Sequence, residues 1–298
     1  MARQRRTLNS GHPLLRLFIG AALISLSPVW VRLVDISATS SGFYRVTIGA
    51  AALALYLLMT RQRLEFGRRV WWSLVAASVF FALDLWFWHR SINYVGPGLA
   101  TLLANFQVFI LVIVGAVWLG QPLKPVHLVS VPLAVLGLAM IVGVDWTSLS
   151  DDYQLGVVFG LLTACAYAAY MLSLRASRRD ATDAAPVREV FVISALCALM
   201  LGGVTALEGE SLAIGAVDFG WMLGYGVLSH CVGWVLIASS LPRVSTTQAG
   251  LALLLQPTLS FIWDVLLFAR PMLGREVLGA VVALLAIYLG SRAPSKQM

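Results

Sequence analysis

The sequence predicts an all-α integral membrane protein of ten transmembrane helices, arranged as two inverted-topology five-helix repeats. Three observations predict it. The 298 residues are 59% apolar and only 12% charged, about half the charge that wets a soluble surface, and the mean hydropathy is +0.85. Ten apolar runs follow one another along the chain, and the chain matches itself at a shift of half its length.

The runs fall at about 14–34, 38–60, 70–92, 97–119, 125–144, 155–174, 188–207, 217–241, 245–268 and 275–291. A run of roughly 20 residues crosses the hydrocarbon core as a helix. Barrel strands alternate over about ten residues, and these runs are continuously apolar. Helices also satisfy every backbone group within one segment. The first run follows Arg3, Arg5, Arg6 and Arg16 as in a signal peptide, but no small-residue cleavage site follows, so it reads as a retained first span.

The formal charge of +7 does not point to nucleic acid, because Lys and Arg sit in short clusters between runs rather than along one basic surface. They mark topology instead. Connections following odd-numbered runs hold at most Arg32, Arg90, Arg270 and Arg275. The other side holds Arg61, Arg63, Arg68, Arg69, Lys124, Arg175, Arg178, Arg179, Arg188, Arg243 and the basic residues of both ends. The positive-inside rule then puts both termini in the cytoplasm of a multi-pass cell (inner or plasma) membrane protein. Two odd connections, around Asp145, Asp151 and Asp152 and around Glu208, Glu210 and Asp218, are acidic. Cys165, Cys197 and Cys231 lie inside runs with no metal-ligand spacing and read as packing residues.

Shifting the chain by 149 residues pairs Trp72 with Trp221, Ser91 with Ser240, Val95 with Val244, Ala100 with Ala249, Leu102 with Leu251, Gln107 with Gln256, Ile113 with Ile262 and Pro122 with Pro271. One ungapped register that holds Trp, Gln and Pro is a repeat signal. Five spans per half is an odd number, so the second half enters the membrane from the opposite side and a pseudo-two-fold axis lies in the membrane plane. The repeats are expected over 14–144 and 155–291.

These residues resemble the drug/metabolite transporter superfamily, in particular its ten-span members built from two EamA-type repeats. The resemblance rests on Phe43-Tyr44-Arg45 opening the second span and on Tyr94-Val95-Gly96-Pro97-Gly98-Leu99-Ala100-Thr101-Leu102-Leu103 leading into the fourth. It rests also on the run from Ser245 through Gln248-Ala249-Gly250-Leu251 to Gln256-Pro257 in the ninth. Two departures stand out. The Gly-Glu pair that usually closes spans 4 and 9 in that family is Gly120-Gln121 and Ala269-Arg270 here, and the mid-span proline present at Pro257 is Val108 in the first half. The resemblance implies secondary transport of small organic metabolites, often the export of amino acids or related compounds.

Ionisable groups at membrane depth cost at least ~2.5–3.5 kcal/mol each on insertion scales, so they face a wet cavity or a partner. Asp84, His230 and Asp264 are the candidate proton-coupling groups; an imidazole titrates near neutral pH when unperturbed. Each has a structural alternative as one member of a buried pair. Arg45 is assigned a structural charge role, pairing with an acid such as Asp84 or capping a loop. Trp86, His89, Gln107, His230, Trp234, Gln256 and Trp263 are candidates for a central substrate cavity, in which aromatic walls with a few polar groups suit an organic ligand. Single tryptophans are equally explained by packing, and intramembrane amides by interhelical bonds. Pro28 and Pro257 are candidate kinks, since each removes a backbone donor. Gly156 and Gly160 form a GxxxG pair for close helix contact.

No Walker A loop, dinucleotide fingerprint, HExxH or nucleophile elbow occurs. No enzyme activity, cofactor or metal is therefore expected. The expected partners are a small-molecule substrate, membrane lipid and protons. The alternatives are an intramembrane enzyme using Asp84, His89 and His230, and an uncoupled facilitative carrier.

Overall fold

The computed structural model describes residues 13–118, 125–142, 149–177, 187–240, 252–253 and 255–291, and among them every regular element is helical. The elements are α1 (Pro13–Ser25), α2 (Ser27–Leu33), α3 (Ala38–Met59), α4 (Arg68–Val95), α5 (Pro97–Ala104), α6 (Gln107–Val117) and α7 (Pro125–Val142). The second half holds α8 (Asp151–Ser177), α9 (Val187–Leu207), α10 (Ala216–Gly224), a π-helical stretch (Tyr225–Gly233), α11 (Trp234–Ser240), α12 (Leu255–Phe268) and α13 (Gly274–Ser291). Gln121, Lys124, Asp145, Trp146, Arg178, Arg179, Arg243 and the segment 241–251 that carries the second sequence motif lie outside the described residues.

Seven of these helical stretches are long and apolar enough to cross a membrane, and the fifth and ninth runs are represented by the shorter apolar helices Leu128–Ile141 and Leu255–Phe268. Within the seven, only 33–44% of the apolar window is buried inside the protein. The remainder faces outward, with Leu58, Met59, Val117, Trp118, Leu199 and Leu207 at least 70% exposed. An apolar exterior of this extent has lipid as its solvent.

Two runs that read as single spans are broken. The first is interrupted at Leu26, and Pro28 sits in the first turn of α2, where its missing N–H removes no helical bond. The fourth is interrupted at Asn105 and Phe106 without a proline; the Asn105 side-chain amide donates to the Thr101 carbonyl at 2.8 Å instead. The start of that same span requires glycine: Gly96 has φ +86° and leads directly into Pro97 at the head of α5, a conformation L side chains avoid.

Several of the described helix contacts join matching segments of the two halves. Helix α3 packs on α9 and α7 on α13, each the counterpart of its neighbour, and α5 packs on α12. The contact of α4 with α8 is matched by that of the π stretch and α11 with α1. Gly156 and Gly160 let α8 approach α4 and α5: a Cβ on Gly156 would stand 2.5 Å from Tyr94 Cβ, and one on Gly160 2.5 Å from a Leu103 methyl. The largest apolar cluster joins α4 and α5 to α7, α12 and α13 through Leu99, Leu102, Leu103, Ile141, Phe261 and Ile287. A second joins α3 and α4 to α8 and α9 through Val46, Phe81, Leu85, Tyr170 and Ile193.

Candidate functional site

A cavity of about 220 Å³ lies where the two halves meet. Arg45 from α3 and Asp84 from α4 line it, as do the amides of Asn105, Gln107 and Gln256. Its aromatic wall is Phe81, Trp88, Tyr167 and Trp234. Gln107 and Gln256, equivalent in the repeat, open onto the same space, and Pro28 lines it beside the break in the first span.

Arg45 is the best-held charge of the site. Its side chain is buried, Nη1 donates to the Tyr225 hydroxyl at 2.9 Å and Nε donates to His230 Nδ1 at 3.4 Å. The guanidinium carbon lies 4.9 Å from the Tyr225 ring centroid, 5.7 Å from that of Trp88 and 5.8 Å from that of Phe81, within cation–π range. Because arginine only donates, its partners fix the remaining roles. His230 Nδ1 accepts, so Nε2 carries the proton and donates to Ser194 Oγ at 2.8 Å. Tyr225 accepts from Arg45 and gives its own proton to His89 Nε2 at 3.3 Å, while His89 Nδ1 donates to the Leu85 carbonyl at 2.6 Å. Arg45 is thus oriented by two imidazoles that each have one donating and one accepting nitrogen. It makes no ion pair within 4.0 Å with Asp84, although both face the cavity.

The sequence signals for these contacts differ in strength. His89 and His230 stand behind the cavity wall as props for Arg45, and Tyr225 was not singled out at all. The reason is the π-helical stretch Tyr225–Gly233. Residues five apart diverge on an α-helix, whereas π geometry closes i onto i+5, which brings Tyr225 and His230 to the same side. Ser194 and Phe81 were likewise missed; a tally of polar and charged residues at depth passes over serines and phenylalanines.

Three further candidates lie away from the cavity. Trp86 lies about two-thirds of the way along α4, where its indole N–H donates to Glu208 Oε1 at 2.9 Å. Trp263 donates to Ser25 Oγ at 3.0 Å, and beside it Ser260 Oγ donates to the Ser25 carbonyl at 3.0 Å, so α12 is tied to the break in the first span. Asp264 accepts from the Gly98 backbone N–H at 3.0 Å and from Arg270 Nη1 at 3.3 Å. A carboxylate at the start of α5 satisfies an orphan donor and meets the positive end of the helix dipole. Pro257 occupies the first turn of α12, and its side chain is buried.

At the end of the bundle where α4 finishes, Glu208 binds two elements, α3 and α4. Arg90 Nη2 reaches its Oε1 at 2.7 Å, Thr39 Oγ1 donates to its Oε2 at 2.6 Å, and the Arg90 guanidinium lies 3.8 Å over the Trp86 ring. Ser37 bonds to Glu210, Ser40 donates to the Ser211 carbonyl, and Tyr44 donates to that of Leu212. Partial burial raises the Glu208 carboxyl, but the hydrogen bonds from Thr39 and Trp86 and the Arg90 charge outweigh it and leave the pKa below the ordinary value. The connection 208–212 is thereby strapped across α3 and α4.

The comparisons with known proteins agree with this architecture. One solved structure, a crystal structure of a protein, superposes with a TM-score of 0.66 at 16% identity, covering 93% of this chain and 96% of that one. At that identity the likeness concerns the fold. No curated protein matches. The model of the EamA-like transporter family matches twice, over residues 13–143 and 154–292. With two matches that between them span nearly all of a helical, lipid-exposed chain folded as two halves around a cavity, the protein belongs to the EamA-like transporter family.

Proposed function

We propose that the chain is a secondary transporter that carries a small organic solute through the central cavity by alternating access. In this reading ten spans form two inverted repeats, 14–144 and 155–291, with both termini in the cytoplasm of the cell membrane, and the repeats rock against each other around the cavity. The solute is an amino acid or a related compound, moved outward.

The carrying observation is that Arg45 and Asp84 line one cavity without pairing directly. A guanidinium suits a carboxylate through two parallel hydrogen bonds, a carboxylate suits an ammonium, and Trp88, Trp234 and Tyr167 offer apolar faces between them. A solute with both charges and an apolar body satisfies all three. In the same reading, Asp84 and His230 are the proton-coupling groups. A proton taken up at His230 Nδ1 turns that nitrogen from acceptor to donor, so it stops accepting from Arg45 Nε and the guanidinium is released toward the cavity. Asp264, held by Gly98 and Arg270, takes no part in this coupling.

The test is flux of labelled amino acids into proteoliposomes with an imposed pH gradient. Saturable flux of at least one zwitterion, lost in Arg45→Ala, supports the reading; flux indifferent to Arg45→Ala and Asp84→Asn overturns it. An Asp84→Asn, His230→Gln double variant that keeps the full pH dependence removes proton coupling from these two residues. Reporter fusions that place the two termini on opposite sides of the bilayer overturn the inverted repeat.

A further inference from the structure

The odd-numbered connections hold few cations, yet those few are not scattered. Of Arg32, Arg90, Arg270 and Arg275, only Arg90 has Glu208 beside it at the strapped connection. The other three line a second cavity of about 470 Å³, which shares no lining residue with the central one. They arrive from different elements: Arg32 from the last turn of α2, Arg270 from the end of the ninth span and Arg275 from the first turn of α13. Tyr153, at the start of α8, faces the same space.

The acids of this cavity are already engaged. Asp264 is turned onto Gly98 N–H and Arg270, and Glu276 accepts at 3.3 Å from the backbone N–H of Leu273, the residue just before its helix. Arg32 stacks over Phe268 with its guanidinium carbon 5.6 Å from the ring centroid, and neither it nor Arg275 has a carboxylate within ion-pair distance among the described residues. Both are exposed toward solvent. Like charges gathered from three elements repel unless an anion is shared between them, and planar guanidinium groups are suited to oxygen anions.

We propose that this cavity is a binding site for an oxyanion, a carboxylate or phosphate group, gripped by Arg32 and Arg275 with Arg270 and Tyr153 behind them. A cavity of about 470 Å³ has room for more than a bare ion. The group belongs either to a soluble organic anion or to the headgroup of an anionic lipid, since basic pockets between spans bind such headgroups. The site is independent of what the central cavity carries.

The test uses the full chain in detergent, with thermal unfolding followed by tryptophan fluorescence and no transport readout. One arm adds inorganic phosphate against sodium chloride of equal ionic strength; the other adds phosphatidylglycerol against phosphatidylcholine in mixed micelles. The expected result is a rise in Tm of about 3 °C or more in at least one arm. An Arg32→Gln, Arg275→Gln double variant should lose at least half of that rise while keeping the ligand-free Tm. A rise with phosphate alone assigns a soluble anion, and one with phosphatidylglycerol alone assigns a headgroup. No rise above the controls in either arm overturns the proposal, as does a double variant that retains the whole rise. Should the double variant be unstable, Arg275→Gln alone decides in the same way, because that side chain is exposed.

Discussion

Phe81 and His230, which are 149 residues apart, stack on one another with ring centroids 5.9 Å apart and an interplanar angle of 26°. In the proposed two-fold repeat, equivalent residues touch only where the axis passes between them, and this pair is where that reading puts the axis. Arg45 and Ser194, also 149 apart, hold the two nitrogens of that same imidazole. One half supplies a charge where the other supplies a hydroxyl, and the site is asymmetric at the point of highest symmetry.

Arg45→Lys keeps the charge but gives up the fork that reaches Tyr225 and His230 together. Flux into proteoliposomes should fall at least about tenfold, the equivalent of ~1.4 kcal/mol in transition-state binding, with the amount of folded protein unchanged. Wild-type flux in this variant removes Arg45 from the site.

Gly49→Ala should destabilise strongly. A Cβ there would stand 2.2 Å from His230 Cδ2, and overpacking of that kind costs about 1–3 kcal/mol. Gly203→Ala is the control, because nothing lies within 4 Å of its added methyl. Thermal unfolding should show a Tm loss of several degrees for the first and none for the second; equal Tm values contradict the close approach of α3 to the π stretch.

Asp264→Ala removes both the N-terminal partner of α5 and the ion pair to Arg270. A lost cap costs about 0.5–2 kcal/mol. The expected signature is a lower Tm with substrate affinity unchanged, and Asp264→Asn, which still accepts from Gly98 N–H, should recover part of the loss. A changed affinity at unchanged Tm would instead put Asp264 in the transport path.

The strapped connection predicts a pH effect. The Glu208 carboxyl is held below its unfolded value of 4.5, so its contribution is fully present above that value and disappears as the pH falls through the folded pKa. An exposed pair of this kind contributes about 1 kcal/mol or less. Wild-type protein should lose slightly more Tm than Glu208→Gln between pH 6 and pH 4, and parallel losses would show that the carboxylate contributes nothing.

The membrane class and the two-repeat layout were legible because lipid exposure writes itself into composition and because Gln107 and Gln256 stand in register. Gln107, Gln256, Trp234 and Asp84, named in the sequence as groups at depth, line one cavity. What was hidden was partnership. The assignment of Arg45 to a structural pair with Asp84 gives way to an arginine held by Tyr225 and His230, since a π stretch is invisible to a 3.6-residue count. Trp86 and Asp264 are deep in their runs by number, but their partners, Glu208 and Gly98, lie at the far end. Depth in a run fixes distance along one helix and says nothing of the neighbour that claims the side chain.

Ser25 has one further consequence. The residue that ends α1 receives Trp263 on its hydroxyl and Ser260 on its carbonyl, so the joint in the first helix is moored to the second half of the molecule. A tilt of α12 would act on the first span at its interruption, Leu26. Two hydrogen bonds then make the linkage through which one half would bend the other.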